Sequence, residues 1–427
     1  MLNRKLTPPV KDAVSFDYKL PPVNKEVFQN NITFYWLDAG VQPVVQIDWV
    51  FDAGLWHEQQ TSVAQAVASL LKNGTASKTA LQINEAIEFY GASLKVAPNN
   101  DYTIISLHTL TKHLGALLPV IKEIITEAVF PEEELRIYVQ NAQQRLAVSL
   151  RQSEFVANRN IDALLFGRQH PYGRFTEATD LQALNTQALR DFHKKYYHAQ
   201  NCKMFMAGKI DNSHVALVNS YFGKESWGFT NVPEPIVYNA EPATEKKMRI
   251  SNDAEGVQGS VRIARHFPTR HHPDFTPMIV LNTIFGGYFG SRLMSNIREE
   301  KGYTYGIYSH IYNYKQDGAL LIATEAGVSV CEQTVEEVYK EMDLLCNELV
   351  DEEELLLVKN YLLGNLLGDL DGPFSIMQRW KNLILNNMPS EQFDKNIEIY
   401  KTITPETLQA LAQKYLRKED YYELVVV

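Results

Sequence analysis

The stretch AVFPEEELRIYVQNAQQRL (128–146) is echoed 220 residues later by ELVDEEELLLVKNYLLGNL (348–366). Each opens on a run of acidic residues, which suits the positive end of a helix dipole, and each continues as a long amphipathic pattern. A second pair keeps almost the same offset. LNTQALRDFHKKYY (184–197) lies 219 residues before ITPETLQALAQKYL (403–416), so that Leu189, Phe192 and Tyr196 fall on Leu408, Leu411 and Tyr415. In both copies an Asn or Thr near the start can cap the helix, and a short β-rich segment follows, CKMFMAGKI in the first and YYELVVV in the second. Two separated matches at one offset indicate an internal duplication.

The break between the copies falls in KESWGFTNVPEPIVYNAEPATEKK (224–247), where Pro233, Pro235 and Pro242 interrupt any periodicity and give the segment the character of an extended linker. The expected organisation is an N-terminal domain over 1–223, a linker over 224–247 and a C-terminal domain over 248–427. Each copy begins with an alternating strand (Val44–Phe51; Ser260–Ala264), then runs through helices, strands, long helices and a final strand. Strands near Ala92–Val96 and Tyr102–Leu107 are joined by Pro98-Asn99-Asn100-Asp101, a turn signal. The predicted class is α+β: two homologous domains, each a mainly antiparallel sheet with helices packed on one face.

Composition narrows the function. With 427 residues, 45% of them hydrophobic and 22% charged, the chain can build full cores, and disorder is excluded. No apolar run approaches the roughly 18 residues that span a bilayer, so no membrane partner is expected. The opening MLNRKLTPPVKDAV (1–14) lacks an apolar leader segment, which makes the cytoplasm the expected location, or the periplasm if a leader has been removed. Cys202, Cys331 and Cys346 are odd in number and widely spaced, as buried reduced thiols are. A net charge of −10 argues against nucleic acid. Residues 1–220 carry 21 basic and 21 acidic side chains, the rest 20 and 30, so the acidic surplus lies wholly in the second half. Solubility explains it; a cationic peptide partner is the alternative. No nucleophile elbow, phosphate loop or dinucleotide fingerprint occurs.

Residues 61–72, TSVAQAVASLLK, place Val63, Ala66, Val67, Leu70 and Leu71 on one helix face, with Gln65, Ala68 and Ser69 on the other. The run Gly54…Glu58…Gln65-Ala66-Val67-Ala68-Ser69…Asn73-Gly74-Thr75 resembles the inverted zinc motif of the pitrilysin, insulinase and mitochondrial processing peptidase superfamily, whose frame reads His-x-x-Glu-His followed by Gly-Thr. His170-Pro171-Tyr172-Gly173-Arg174, Gly286-Gly287…Ser291-Arg292-Leu293 and Ile297-Arg298-Glu299-Glu300-Lys301-Gly302-Tyr303-Thr304-Tyr305 fit the same family. The likeness covers about residues 40–427.

The departures carry the functional expectation. Zinc needs imidazole or anionic ligands and its bound water needs a carboxylate base, yet Gln65 and Ser69 stand at the histidine positions and Ala68 at the base. No acidic residue occurs between Glu134 and Glu154, where the family's third ligand is expected, and in the second copy Met278, Leu281 and Asn282 hold the matching places. The histidines offer no substitute: His108/His113 and His193/His198 are five apart, and His57-Glu58-Gln59-Gln60-Thr61 is a broken His-Glu-x-x-His. No metal is expected in this chain.

What is retained is Arg298 and Tyr305, seven apart around a helix end at Gly302. The resemblance implies that such a pair faces the zinc site of a partner, the guanidinium binding substrate carbonyls and the phenol donating to the developing oxyanion. An Arg298 paired with a nearby Glu and a Tyr305 in the core is the plainer alternative. Gly286 and Gly287 read either as a helix-end turn or, by resemblance, as part of a substrate channel. The expected function is thus a zinc-free subunit of a two-chain metallopeptidase, with zinc in a homologous partner bearing His-x-x-Glu-His and an unfolded peptide as substrate. The alternative is an inert peptide-binding or scaffold protein of the same fold.

Overall fold

A computed structural model describes residues 13–228, 236–253 and 255–427; part of the linker expected over 224–247 therefore lies outside the described residues. Among the described residues two compact units divide the chain, one formed by residues 22–264 with 372–381 and 422–427, the other by 13–21, 265–371 and 382–421.

Eleven strands are described: β1 (Asn24–Val27), β2 (Thr33–Asp38), β3 (Val44–Phe51), β4 (Ser93–Pro98), β5 (Thr103–Leu110), β6 (Cys202–Gly208), β7 (Lys247–Ile250), β8 (Gln258–His266), β9 (Thr304–Asn313), β10 (Gly318–Gly327) and β11 (Tyr422–Val426). The first six form one sheet in the order β1-β2-β6-β3-β5-β4. Of the other five, β7 and β8 pair with β11, and β9 pairs with β10. The duplication is visible in the pairing. β6 lies between β2, to which it is parallel, and β3, to which it is antiparallel; β11 lies in the same way between β7 and β8. Hairpins β4/β5 and β9/β10 are both antiparallel.

The matched helices form where the offset places them. Glu132–Ser149 and Glu352–Asp369 share the 220-residue spacing, each with three glutamates in its first turn. Thr186–Tyr196 begins with the Asn185 side chain accepting from the Ala188 N–H, and Pro405–Tyr415 with Thr404 accepting from Thr407 N–H. Leu189, Phe192 and Tyr196, and Leu408, Leu411 and Tyr415, are all buried. At the β4/β5 turn the Asn99 carboxamide oxygen accepts from the Asp101 and Tyr102 N–H groups at 2.9 and 2.7 Å, so the turn is held by a side chain.

The core of the first sheet is continuous: Ile47, Trp49 and Phe51 from β3, Ile105 and Leu107 from β5 and Met204 and Met206 from β6 pack against helices that include Val63–Leu70 and Leu114–Thr126. In the other unit, Tyr18 joins Leu363, Leu366, Phe393 and Ile397 in a small core. Among the described residues no helix is long and apolar enough to cross a membrane.

Candidate functional site

The degenerate zinc motif lies on the helix Val63–Leu70, packed against the edge strand β4. Val63, Ala66, Val67, Leu70 and Leu71 are buried, as the periodicity requires. Gln65 and Ser69 are exposed on the other side, and the Gln65 amide donates to the Ser69 hydroxyl at 3.3 Å. Ala68 departs from the helical-wheel reading: it is only 2% exposed, so the residue at the base position is part of the packing rather than of the open face. From the helix Glu132–Ser149, where the resemblance places the third ligand, Tyr138 approaches Ser69; burial raises its phenol pKa, against a hydrogen bond to that hydroxyl. Glu134, one turn earlier, is engaged by the Asn73 amide at 2.7 Å. The local donor set is thus an amide, a hydroxyl and a phenol, all neutral, and it does not suit zinc. Among the described residues no group of three His, Cys, Asp or Glu side chains is arranged to hold a metal ion.

What holds this helix in place was not legible as a function. Ser62 sits in the left-handed region at φ 74° and makes no side-chain cap. The cap comes from Glu58, whose Oε2 accepts from the Ala64 N–H at 2.9 Å. Glu58 is 2% exposed, and burial pushes its carboxyl up from the ordinary 4.5 to about 7, against the helix N–H groups and Arg174. Arg174 stands 3.5 Å away and also donates to the Leu55 and Glu58 carbonyls at 3.1 and 3.3 Å. The HPYGR segment is thereby a brace: Arg174 ties the loop before the motif helix, and the Tyr172 hydroxyl donates to Asp101 at 2.6 Å in the β4/β5 turn. His170 stacks on Phe166 with centroids 5.4 Å apart. His57 lies 5.2 Å from the Tyr196 ring, and His193, buried against the Ile125 carbonyl, has its pKa lowered to about 4.

In the other unit, the segment around Arg298 is wound more widely than an α-helix. Met294–Glu300 is π-helical, and the Lys301 N–H reaches back five residues to the Asn296 carbonyl at 3.0 Å. Gly302, at φ +65°, ends it, as the sequence predicts. The chain then enters β9 through a bulge: Thr304 pairs with Ala326 and Ile307 with Thr324, so Tyr305 and Gly306 together oppose one residue. Hydroxyls pin the bulge, Thr304 donating to the Glu325 carbonyl at 2.6 Å and Thr324 to the Gly306 carbonyl at 2.8 Å. The bulge breaks the simple alternation that Tyr303-Thr304-Tyr305-Gly306-Ile307-Tyr308 would otherwise follow. Tyr305 is turned outward and is 89% exposed, and Tyr308, three residues on, is exposed as well.

Arg298 and Tyr305 are brought together. The guanidinium carbon lies 5.4 Å from the Tyr305 ring centroid and 4.5 Å from that of Phe289, a large apolar side chain left 59% exposed. Neither the Arg298 guanidinium nor the Tyr305 hydroxyl makes a hydrogen bond or ion pair to another described residue. The arginine of the Ser-Arg-Leu segment behaves differently: Arg292 is forked onto Glu354 at 3.0 and 2.8 Å. Gly286 and Gly287 end a π-helical turn, Thr283–Gly287. A Cβ on Gly286 would stand 2.8 Å from the Ser309 nitrogen, so this glycine is required by the close approach of β9. At the second-copy motif positions, Met278 and Leu281 are buried, and the Asn282 amide donates to the Ser309 carbonyl at 3.1 Å.

Comparison with known proteins agrees with the fold. An uncharacterized zinc protease of Bacillus subtilis is 25% identical over 401 residues, covering 92% of this chain and 94% of that protein. Among solved structures, a peptidase M16 inactive domain from Pseudomonas fluorescens superposes with a TM-score of 0.83 at 22% identity, over 95% of this chain and 98% of that one. A protease from Helicobacter pylori superposes with a TM-score of 0.87 at 15% identity, over 96% of this chain and the whole of that one. Residues 38–179 match the family profile described as Insulinase (Peptidase family M16), and residues 183–362 match the Peptidase M16 inactive domain. The chain therefore belongs to the M16, or pitrilysin/insulinase, family of peptidases.

Proposed function

We propose that the chain is the zinc-free subunit of a heteromeric metallopeptidase, built from two homologous domains on either side of the 224–247 segment. A homologous partner carries His-x-x-Glu-His and its zinc, while this chain contributes Arg298 and Tyr305 to substrate binding and to stabilisation of the oxyanion. The observation that carries the reading is the pairing of Arg298 with Tyr305, both with their hydrogen-bonding groups unused by the described residues. Elsewhere in the same unit polar groups are spent on structure, as Arg292 is on Glu354. The neutral Gln65/Ser69 pair supports the assignment of metal chemistry to the partner.

The substrate is an unfolded peptide. It adds as a strand to a free sheet edge, and β4, beside the degenerate motif helix, offers one with the Ser93 and Lys95 side chains exposed. Backbone pairing of this kind tolerates many sequences.

The test is reconstitution with a His-x-x-Glu-His partner, followed by peptide cleavage. Tyr305→Phe removes one hydroxyl and keeps the ring, so turnover falls by about 10²–10³ while KM changes little. Tyr303→Phe is the control. Unchanged turnover in an intact Tyr305→Phe complex would remove the assisting role and leave the inert peptide-binding or scaffold reading.

A further inference from the structure

Arg298 presents an unusual surface group. Its guanidinium is half-buried against two exposed rings, Phe289 and Tyr305, yet none of its five N–H donors is used by another described residue. Glu299 and Glu300 follow it directly in the chain and do not pair with it. Stacking on aromatic faces restricts the guanidinium plane, so the fork is held ready before a ligand arrives. A pre-oriented fork matches two carboxylate oxygens better than one carbonyl, because two parallel charge-assisted bonds can form at once. The rings on either side would meanwhile cover an apolar side chain next to the carboxylate.

We infer that Arg298, Phe289 and Tyr305 form a subsite that reads a peptide carboxylate flanked by an apolar residue. The inference rests on the reading of this chain as a peptide-engaging subunit and specifies the substrate class. The carboxylate is either a free C-terminus or an Asp/Glu side chain. Long-range electrostatics cannot supply such a preference, since the chain carries a net charge of −10 and repels anions at a distance.

The experiment uses the full chain alone and two pairs of short fluorescein-labelled peptides, each with a leucine beside the tested position. One pair differs only in a free versus an amidated C-terminus; the other, amidated throughout, differs only in an internal Glu versus Gln. Fluorescence anisotropy should show a preference of about tenfold or more for the acid in at least one pair, and the responding pair identifies the source. Arg298→Ala should abolish the preference, and Arg298→Lys should retain only a small part of it. Phe289→Ala should weaken it. Tyr305→Phe, which keeps the ring, should leave it intact while slowing turnover of the reconstituted complex. Less than a twofold preference in both pairs, absence of binding, or a preference that survives Arg298→Ala overturns the inference. A carboxylate preference in a chain that no partner activates would leave the subsite standing and refute the peptidase reading. Slowed turnover in Tyr305→Phe without any carboxylate preference would do the reverse.

Discussion

Glu58 gives the fold a measurable pH dependence. Its carboxyl is 2% exposed, caps the motif helix through the Ala64 N–H, and titrates near 7 against 4.5 in the unfolded chain. Between these values the native state holds a proton that the unfolded state has released. Its contribution is therefore fully present below pH 4.5 and is lost as pH rises through 7. At about 1.4 kcal/mol per pH unit, the 2.5-unit window amounts to about 3 kcal/mol. Glu58→Gln keeps an oxygen for the Ala64 N–H but cannot ionise, so this loss should vanish. The informative quantity is the difference between wild type and variant, because other groups titrate in the same range. Asp162, also raised to about 7 by burial, acts in the same direction, whereas His193, lowered to about 4, adds stability as pH rises toward 6.5. Urea unfolding at pH 4.5 and at pH 8 measures both proteins. The stability difference between them should shift by about 3 kcal/mol between the two pH values. Parallel profiles would show that Glu58 titrates in the native state at its ordinary value, despite its burial.

Restoring Gln65→His, Ala68→Glu and Ser69→His together should not create an independent peptidase, because Ala68 is packed and the helix carrying Tyr138 has no acidic residue after Glu134, which Asn73 already engages. Metal analysis and peptide cleavage of the triple variant check this, and robust cleavage would mean that another carboxylate completes the site. Gly286→Ala should lower stability by about 1–3 kcal/mol, since its Cβ meets backbone at Ser309 that cannot retreat, and chemical denaturation reads the change directly.

The duplication, both capped helices and the sheet class were legible because each depends on local pattern: an offset, an Asn185 or Thr404 before a helix, an alternation along β3. The residue types at the motif positions were equally legible, since an amide, a methyl and a hydroxyl at Gln65, Ala68 and Ser69 are written in the residue names. What escaped depends on partners far along the chain. Glu58 reads as a polar loop residue until Arg174, 116 residues later, is placed beside it. Ser62 reads as an adequate cap from its residue type, and only its left-handed backbone leaves that role to Glu58. Ala68 lies opposite the apolar stripe on a helical wheel, but a short helix embedded on more than one side buries it too. The outward turn of Tyr305 comes from a bulge and a π-helical segment, and each displaces the simple period by one residue, so a period-based reading misassigns the faces. Phe289 carried no signal beyond being apolar.

The position of β6 has a consequence for how the chain is made. It is inserted between β2 and β3, strands that leave the ribosome 150 residues or more before it. At about 5–20 residues per second, β2 and β3 wait roughly 8–30 seconds with their inner edges unpaired. β11 repeats the delay for β7 and β8, and residues 422–427 belong to the unit otherwise made almost entirely of residues 22–264. That unit therefore cannot finish its hydrogen bonding until residue 426 has emerged. During vectorial synthesis the nascent chain carries two open strand slots in succession, each a target for misplaced pairing and for whatever cellular factor shields unpaired strands.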